Sequence, residues 1–141
     1  MVAKGSKSPK VFLSHSIADR EVARSIGKEI EDAGFEVLSV EGASRGENIH
    51  LQLGKALETA DAMVVLLSPA AVQSPTLGYE LSYALGSQRF AGRVVPVIIE
   101  DTDDIPWILR RFQLLRGGKN AERTGKAVVE RLTEAAKATG S

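Results

Sequence analysis

The run Ala-Met-Val-Val-Leu-Leu at residues 62–67 is the feature that most limits how this chain can fold. It carries no polar residue at alternate positions, so a strand made from it has no face to offer to water. Unbroken apolar strands of this kind are typical of parallel sheets that helices cover on both sides. Residues 62–67 therefore predict a central strand of an α/β sheet.

The segments on either side of this run alternate between strand and helix patterns. Apolar runs predict four further strands, at residues 10–14, 35–40, 93–99 and 112–115. Apolar residues at helical spacing predict helices after residue 16, over residues 47–59, from 74 to about 90, and over 120–137. Parallel strands need such crossovers. We expect an α/β, flavodoxin-like fold: a five-stranded parallel sheet of order 2-1-3-4-5, with helices on both faces.

Three local signals add detail to this outline. Ser16 and Asp19 have the spacing of a capping box at the start of the first helix. Pro96 cannot donate a ladder hydrogen bond, which places its part of the strand near an edge or a bulge. Residues 68–73 are interpreted as a link between the third strand and the next helix.

Length, charge and composition limit the classes of function. With 141 residues, the chain fits one domain at 10–137, between a flexible leader at 1–9 and a disordered tail at 138–141. It is also compatible with a domain cut from a longer protein. The zero net charge gives no argument for nucleic-acid or membrane partners and eases self-association. The absence of cysteine fits a reducing cytoplasm, where we expect the protein.

Glu80 is the candidate catalytic residue. Ser74 and Pro75 form a helix start, and Leu77 and Leu81 begin its apolar stripe. Glu80 lies three residues after Leu77, so its carboxylate borders that stripe. The helix follows the C-terminal end of a predicted strand, where open α/β sheets place their ligands. A solvated helix glutamate is the alternative interpretation of Glu80.

The remaining polar residues at this edge of the sheet suit one reaction. The chain contains no phosphate loop, no serine nucleophile elbow and no histidine pair at metal-ligand spacing, so we expect no metal. A single carboxylate suits displacement at an anomeric carbon whose leaving group is already good, because the transition state is oxocarbenium-like. Nicotinamide leaves NAD as a neutral molecule and needs no acid. Ser14, Ser68 and Arg45 are available to bind ribose and pyrophosphate.

Six segments in the same order resemble the TIR (Toll/interleukin-1 receptor) domain family, particularly its bacterial members. They are Val-Phe-Leu-Ser-His-Ser at 11–16, Ala-Gly-Phe-Glu-Val at 33–37, Ala-Leu with Ala-Asp at 56–61, Val-Val-Leu-Leu-Ser-Pro at 64–69, Ser74 with Glu80-Leu81 and Ala84-Leu85, and Val-Val-Pro-Val-Ile at 94–98. The resemblance covers residues 10–132. It implies a flavodoxin-like domain in immune or self-destruction signalling that self-assembles.

The resemblance also implies roles for particular residues. Catalytic members cleave NAD with a helix glutamate, and Glu80 falls at that position. Residues 41–46, with Arg45 and Gly46, correspond to the BB loop, which shapes the substrate pocket and the assembly contacts. His15 falls where many members place an aromatic residue beside nicotinamide. Two positions depart from the family pattern: Thr76 stands where catalytic members often have tryptophan, and Val40 precedes Glu41 where many have aspartate.

The leading hypothesis is an NAD+ nucleosidase that hydrolyses NAD to nicotinamide and ADP-ribose, or cyclises it, in bacterial immunity or cell suicide. NAD is then the substrate and no cofactor is expected. Its partners are further copies of the chain and any other domains of a longer protein. A non-catalytic TIR–TIR interaction module and an enzyme resembling nucleoside 2-deoxyribosyltransferases are the alternatives.

Overall fold

The computed structural model describes residues 9–38, 49–86, 93–103, 105, 109, 112, 114–118 and 120–138. The strands are β1 (Lys10–Ser14), β2 (Glu36–Leu38), β3 (Ala62–Leu67), β4 (Val94–Ile98) and β5 (Leu115–Arg116). A 3-10 helix, Ile17–Asp19, precedes α1 (Arg20–Asp32). The other helices are α2 (Ile49–Thr59), α3 (Pro69–Val72), α4 (Pro75–Leu85) and α5 (Ala121–Ala138).

The five strands form one parallel sheet of order β2-β1-β3-β4-β5, which confirms the predicted fold and strand order. β1 lies between β2 and β3, and its register pairs Val11 with Ala62 and Ser14 with Val65. The switch in strand order therefore falls between β1 and β3. The side chains that follow these two strands meet at the same edge of the sheet.

Each face of the sheet has its own buried core, because alternate side chains of a strand point to opposite faces. Phe12 and Met63 belong to the core on the α2 and α4 side, while Val11 and Val64 belong to the core on the α1 and α5 side. Every residue of β3 is buried. This is the environment that the unbroken apolar run at 62–67 predicts.

The nitrogen of Pro96, which carries no hydrogen, is turned away from β3. The amide of Ile99 donates to β3, at Leu67 O, so odd-numbered residues of β4 bond toward β3. The nitrogen of Pro96 therefore faces β5, whose ladder with β4 begins one residue later, at Val97. The sequence predicts an edge or a bulge at Pro96, whereas β4 is an inner strand beside the edge strand β5, and its register with β3 runs through Pro96 without a bulge.

Several predicted element boundaries are wrong. The first helix opens with a 3-10 turn, and Ser16 Oγ accepts from the amide of Ala18. Strand β2 begins at Glu36, one residue after the predicted start, and its predicted end at residue 40 lies outside the described residues. Helix α4 ends at Leu85 and not near residue 90, with Gly86 in a turn. The last strand begins at Leu115.

The segment 68–73, interpreted as a link, contains the short helix α3. Ser68 and Pro69 give the same start signal as Ser74 and Pro75, and Ser68 Oγ accepts from the amide of Ala71. The leader at 1–9 lies outside the described residues except for Pro9, and the tail does so beyond Ala138, which α5 includes. Among the described helices, none has the length and apolar character needed to cross a bilayer.

Close packing of α1 against α5 depends on Gly125. A Cβ added there would lie 2.7 Å from both Cβ and Cγ of Glu29, closer than side-chain atoms approach one another. Gly54, in α2, provides the matched contrast, because a Cβ added there meets no atom of the described residues within 4 Å. Both glycines lie in helices that alanine would otherwise favour.

We predict that Gly125→Ala lowers the free energy of unfolding by about 1–3 kcal/mol, because the helices must separate. Gly54→Ala is expected to raise it by about 0.5–1 kcal/mol, since alanine is the better helix former. Urea unfolding of both variants measures the difference. A Gly125→Ala protein at least as stable as the parent would contradict the α1–α5 packing.

Candidate functional site

The carboxylate of Glu80 lies inside the protein, beneath the ends of β1 and β3. It shares the inner side of α4 with Leu77 and Leu81, and only 4% of its surface is exposed. The Ser14 hydroxyl, at the end of β1, donates a hydrogen bond to Glu80 Oε1. The interpretation of Glu80 as a solvated helix residue is therefore wrong, and Ser14 and Glu80 meet as the candidate site requires.

A small cavity adjoins this pair. Its walls come from the segment after β1 and from α3 and α4: Ser14, His15, Ser16, Ala71, Ser74, Leu77 and Glu80. The cavity measures about 20 Å³, which is room for about one water molecule. Pockets for small molecules are usually about 300–1,000 Å³. The residues that the structure describes around Glu80 do not by themselves enclose a nucleotide sugar.

Burial changes the acidity of Glu80. Loss of hydration disfavours the charged form and raises the pKa of the Glu80 carboxyl from 4.5 to about 7. The hydrogen bond from Ser14 acts in the opposite direction, because it stabilises the carboxylate. Near neutral pH the group is therefore poised between its two states, as acids and bases in active sites commonly are.

Ser68 follows β3, and its hydroxyl forms hydrogen bonds within the protein that do not involve Glu80. Its hydroxyl donates to Asp19 Oδ2 at 2.5 Å and accepts from the amide of Ala71 at 3.1 Å. Only 1% of Ser68 is exposed, and Ser68 is absent from the lining of the Glu80 cavity. The structure thus shows Ser68 as a helix cap that joins two loops, and its predicted role in substrate binding stays a prediction.

Asp19 is the residue at this site that sequence reasoning missed. The sequence places Asp19 in a capping box with Ser16, whereas its carboxylate accepts the hydrogen bond from Ser68. The bond ties the turn after β1, where His15 and Ser16 line the cavity, to the start of α3, where Ala71 lines it. The sequence signal that points toward this bond is Ser68-Pro69, because it marks a helix start and so places a capping serine at the carboxyl end of β3.

The other predicted site residues divide into two groups. His15 lines the Glu80 cavity, and its Nδ1 lies 2.8 Å from Ser16 O. Arg45 and Gly46 lie outside the described residues, as do Val40 and Glu41. The side chain of Thr76 is likewise outside them. Among the described residues, no three His, Cys, Asp or Glu side chains come together as metal ligands.

The raised pKa of Glu80 predicts a pH-dependent stability. Between pH 4.5 and about 7 the folded state holds a proton that the unfolded state has released, so stability falls as pH rises. Glu80→Gln removes this proton linkage. We expect the free energy of unfolding of the variant, relative to that of the parent, to rise by about 3 kcal/mol between pH 4.5 and pH 8.

Urea unfolding at half-unit pH intervals measures this difference. Glu130→Gln, on the exposed side of α5, makes the same chemical change and is expected to follow the parent at every pH. Parallel curves for the parent and Glu80→Gln would show that the carboxyl of Glu80 titrates alike in the folded and unfolded states.

Comparison with known proteins identifies the family. A family model described as TIR domain matches residues 11–133. The TIR domain of the Toll-related receptor TRR-2 from Hydra magnipapillata has a TM-score of 0.67 and 18% identity, over 88% of this chain and 94% of that one. A metazoan TIR-STING receptor from C. gigas, solved with 2′,3′-cGAMP, has a TM-score of 0.68 and 24% identity, over 86% of this chain and 38% of that one.

The TIR domains of the activated Roq1 resistosome, which recognises the pathogen effector XopQ, have a TM-score of 0.53 and 18% identity, over 89% of this chain and 84% of that one. At such identities the structural likeness shows the fold alone. No curated protein matches the sequence significantly. The family match covers most of the chain, and together with the sheet order it shows that the chain belongs to the TIR domain family.

Proposed function

We propose that this TIR domain is an NAD+ nucleosidase in which the carboxylate of Glu80 stabilises or attacks the reacting ribose. One observation carries the proposal: Glu80 is buried at the switch point of the sheet and bonded to Ser14. Ligands of open α/β sheets bind at this place. Burial disfavours the charged form of Glu80, so packing alone does not favour a carboxyl group at this position.

The reaction needs little besides a carboxylate. The bond between C1′ of the ribose and the ring nitrogen of nicotinamide breaks, and its electron pair returns to the ring, which leaves neutral. Positive charge develops on the ribose, and a nearby carboxylate stabilises it. Attack by water at C1′ gives ADP-ribose and a proton. Attack by a nitrogen of the adenine gives a cyclic product.

The acidity of Glu80 fits this mechanism. At pH 7 about half of the Glu80 carboxyl groups are ionised in the free protein, because the pKa is about 7. The positive nicotinamide ring of bound NAD favours the ionised form. Binding of NAD thus promotes the ionised form of Glu80, which the reaction uses. Without NAD, Glu80 is partly protonated, which lowers the energetic cost of burying it.

Self-assembly is part of the proposal because of the cavity size. About 20 Å³ beside Glu80 leaves no room for a ribose unless the walls move or other residues extend the site. Arg45 and Gly46, in the 41–46 loop, are the proposed extension, together with a second copy of the chain. We propose that the domain acts in cytoplasmic immune or cell-suicide signalling, with further copies and any attached domains as partners.

The same cavity size favours a second candidate function, a non-catalytic TIR–TIR interaction module. In that function the hydrogen bond between Ser14 and Glu80 joins β1 to α4, and no substrate enters. The two functions differ in whether the carboxylate of Glu80 must react. An enzyme that transfers 2-deoxyribose would also use Glu80 and differs in its substrate.

We predict that concentrated protein releases nicotinamide from NAD, and that Glu80→Gln lowers the rate at least about a thousandfold, because the carboxylate acts in the transition state. The value of kcat/KM is expected to rise with pH through about 7 and then level, as Glu80 of the free protein ionises. The rate per mole of protein rises with protein concentration if assembly completes the site. Chromatography of free nicotinamide and ADP-ribose measures all three effects.

Two controls separate the candidate functions. Glu130→Gln makes the same substitution on the exposed side of α5 and is expected to retain the parental rate. Parallel incubation with a deoxynucleoside tests deoxyribose transfer by release of free base. Full NAD cleavage by Glu80→Gln would refute the mechanism, and no base release from either substrate would favour the interaction module.

A further inference from the structure

A second and larger cavity lies on the opposite face of the sheet, between α1 and the ends of β1 and β2. It measures about 160 Å³, against about 20 Å³ for the cavity at Glu80, and is below the usual size of small-molecule pockets, so a ligand would lie partly outside it. Leu13 and Val37 provide its floor from the sheet, and Ala23 and Gly27 do so from α1. All four are apolar or have no side chain, so the floor suits a flat, poorly hydrated group.

The absence of a side chain at Gly27 leaves part of the cavity floor open. A Cβ added at Gly27 would lie 3.6 Å from Leu13 Cδ2 and 3.9 Å from Val37 Cγ1, which are ordinary contact distances. An alanine would therefore fill part of the floor without a clash, and it would also favour the helix. Packing alone does not require glycine at this position.

The mouth of the cavity carries charge of mainly one sign. Arg24 and Lys28 are four residues apart on α1 and lie on the same side of the helix, with Glu31 three residues further. All three are exposed. Two cations at the rim match a group with two negative charges, such as a pyrophosphate. The Glu31 carboxylate can accept hydrogen bonds from hydroxyl or amino groups.

His15 connects the two cavities. It follows Ser14 at the end of β1 and belongs to the linings of both. Leu13 faces α1 and Ser14 faces α4, so a ligand that passes over the end of β1 beside His15 would reach both faces. Crossing the carboxyl ends of the strands is how extended ligands bind to open α/β sheets.

We propose that the α1 cavity binds the adenosine diphosphate half of a dinucleotide, with Arg24 and Lys28 on the pyrophosphate and the apolar floor beneath the base. This rests on the proposed function, which places the nicotinamide ribose at Glu80. It assigns substrate affinity to α1, a helix that carries no reacting group. Affinity and chemistry then depend on opposite faces of the sheet.

Calorimetric titration of the full chain with ADP-ribose tests this assignment. We expect Lys28→Glu to weaken binding at least about tenfold, through lost attraction and added repulsion. Lys55→Glu, on the exposed side of α2, changes the net charge equally and is expected to bind ADP-ribose as the parent does. Gly27→Ala is expected to weaken binding about tenfold, because the added methyl occupies the floor, with no loss of thermal stability.

A second ligand makes the test specific. Nicotinamide riboside lacks both the phosphates and the adenosine, so Lys28→Glu and Lys55→Glu are expected to bind it alike. Equal loss of ADP-ribose affinity in those two variants would show that binding depends on net charge and not on position 28, and would overturn the assignment. So would failure of the parent to bind ADP-ribose, or unchanged binding by Gly27→Ala.

The two proposals fail in different ways. If Glu80→Gln leaves cleavage intact while Lys28→Glu weakens ADP-ribose binding, the catalytic mechanism is refuted and the binding site in the α1 cavity is supported. If Glu80→Gln abolishes cleavage while Lys28→Glu leaves the KM for NAD at the parental value, the binding site in the α1 cavity is refuted and the catalytic mechanism is supported. Support for both requires Lys28→Glu to raise KM more than it lowers kcat.

Discussion

The hydrogen bond from Ser14 to Glu80 joins the end of β1 to α4 where almost no water reaches either group. A buried carboxylate loses hydration, and one hydroxyl replaces only part of it, so the proton is held more tightly than in water. The bond from Ser68 to Asp19 fixes the two neighbouring turns around this pair. The carboxyl ends of the strands therefore hold the Glu80 side chain in place, at a cost in stability that the two apolar cores offset.

Alternate side chains of β1 point to opposite faces of the sheet, so the end of this strand lines a different cavity on each face. Phe12 and Ser14 point toward α2 and α4, while Val11 and Leu13 point toward α1 and α5. One strand end thereby contributes to the wall of a small polar cavity and to the floor of a larger apolar one. In the proposed account the first face carries the reacting group and the second provides affinity, so substitutions in α1 act on binding and those in α4 on chemistry.

How much the sequence predicts depends on whether a feature is local. The unbroken run at 62–67 predicts β3 and a parallel sheet with crossover helices, while the order 2-1-3-4-5 comes from the flavodoxin-like fold that we expect for such a sheet. The position of Glu80 beside Leu77 predicts its burial. The partner of Asp19 lies 49 residues away, at Ser68, and no spacing rule reaches that far. The α1 cavity escapes prediction for the same reason, because Gly27 leaves room only relative to Leu13 and Val37, on separate strands.

The central claim is that Glu80 is a buried acid with a raised pKa, and its own titration tests this most directly. Protein labelled with carbon-13 at the glutamate side-chain carboxyl gives one NMR signal per glutamate, and the signal missing from Glu80→Gln identifies residue 80. The account predicts a midpoint near pH 7 for that signal, and a still higher midpoint in Ser14→Ala, where the stabilising hydrogen bond is lost. A midpoint near 4.5, the ordinary value for a glutamate, would contradict it.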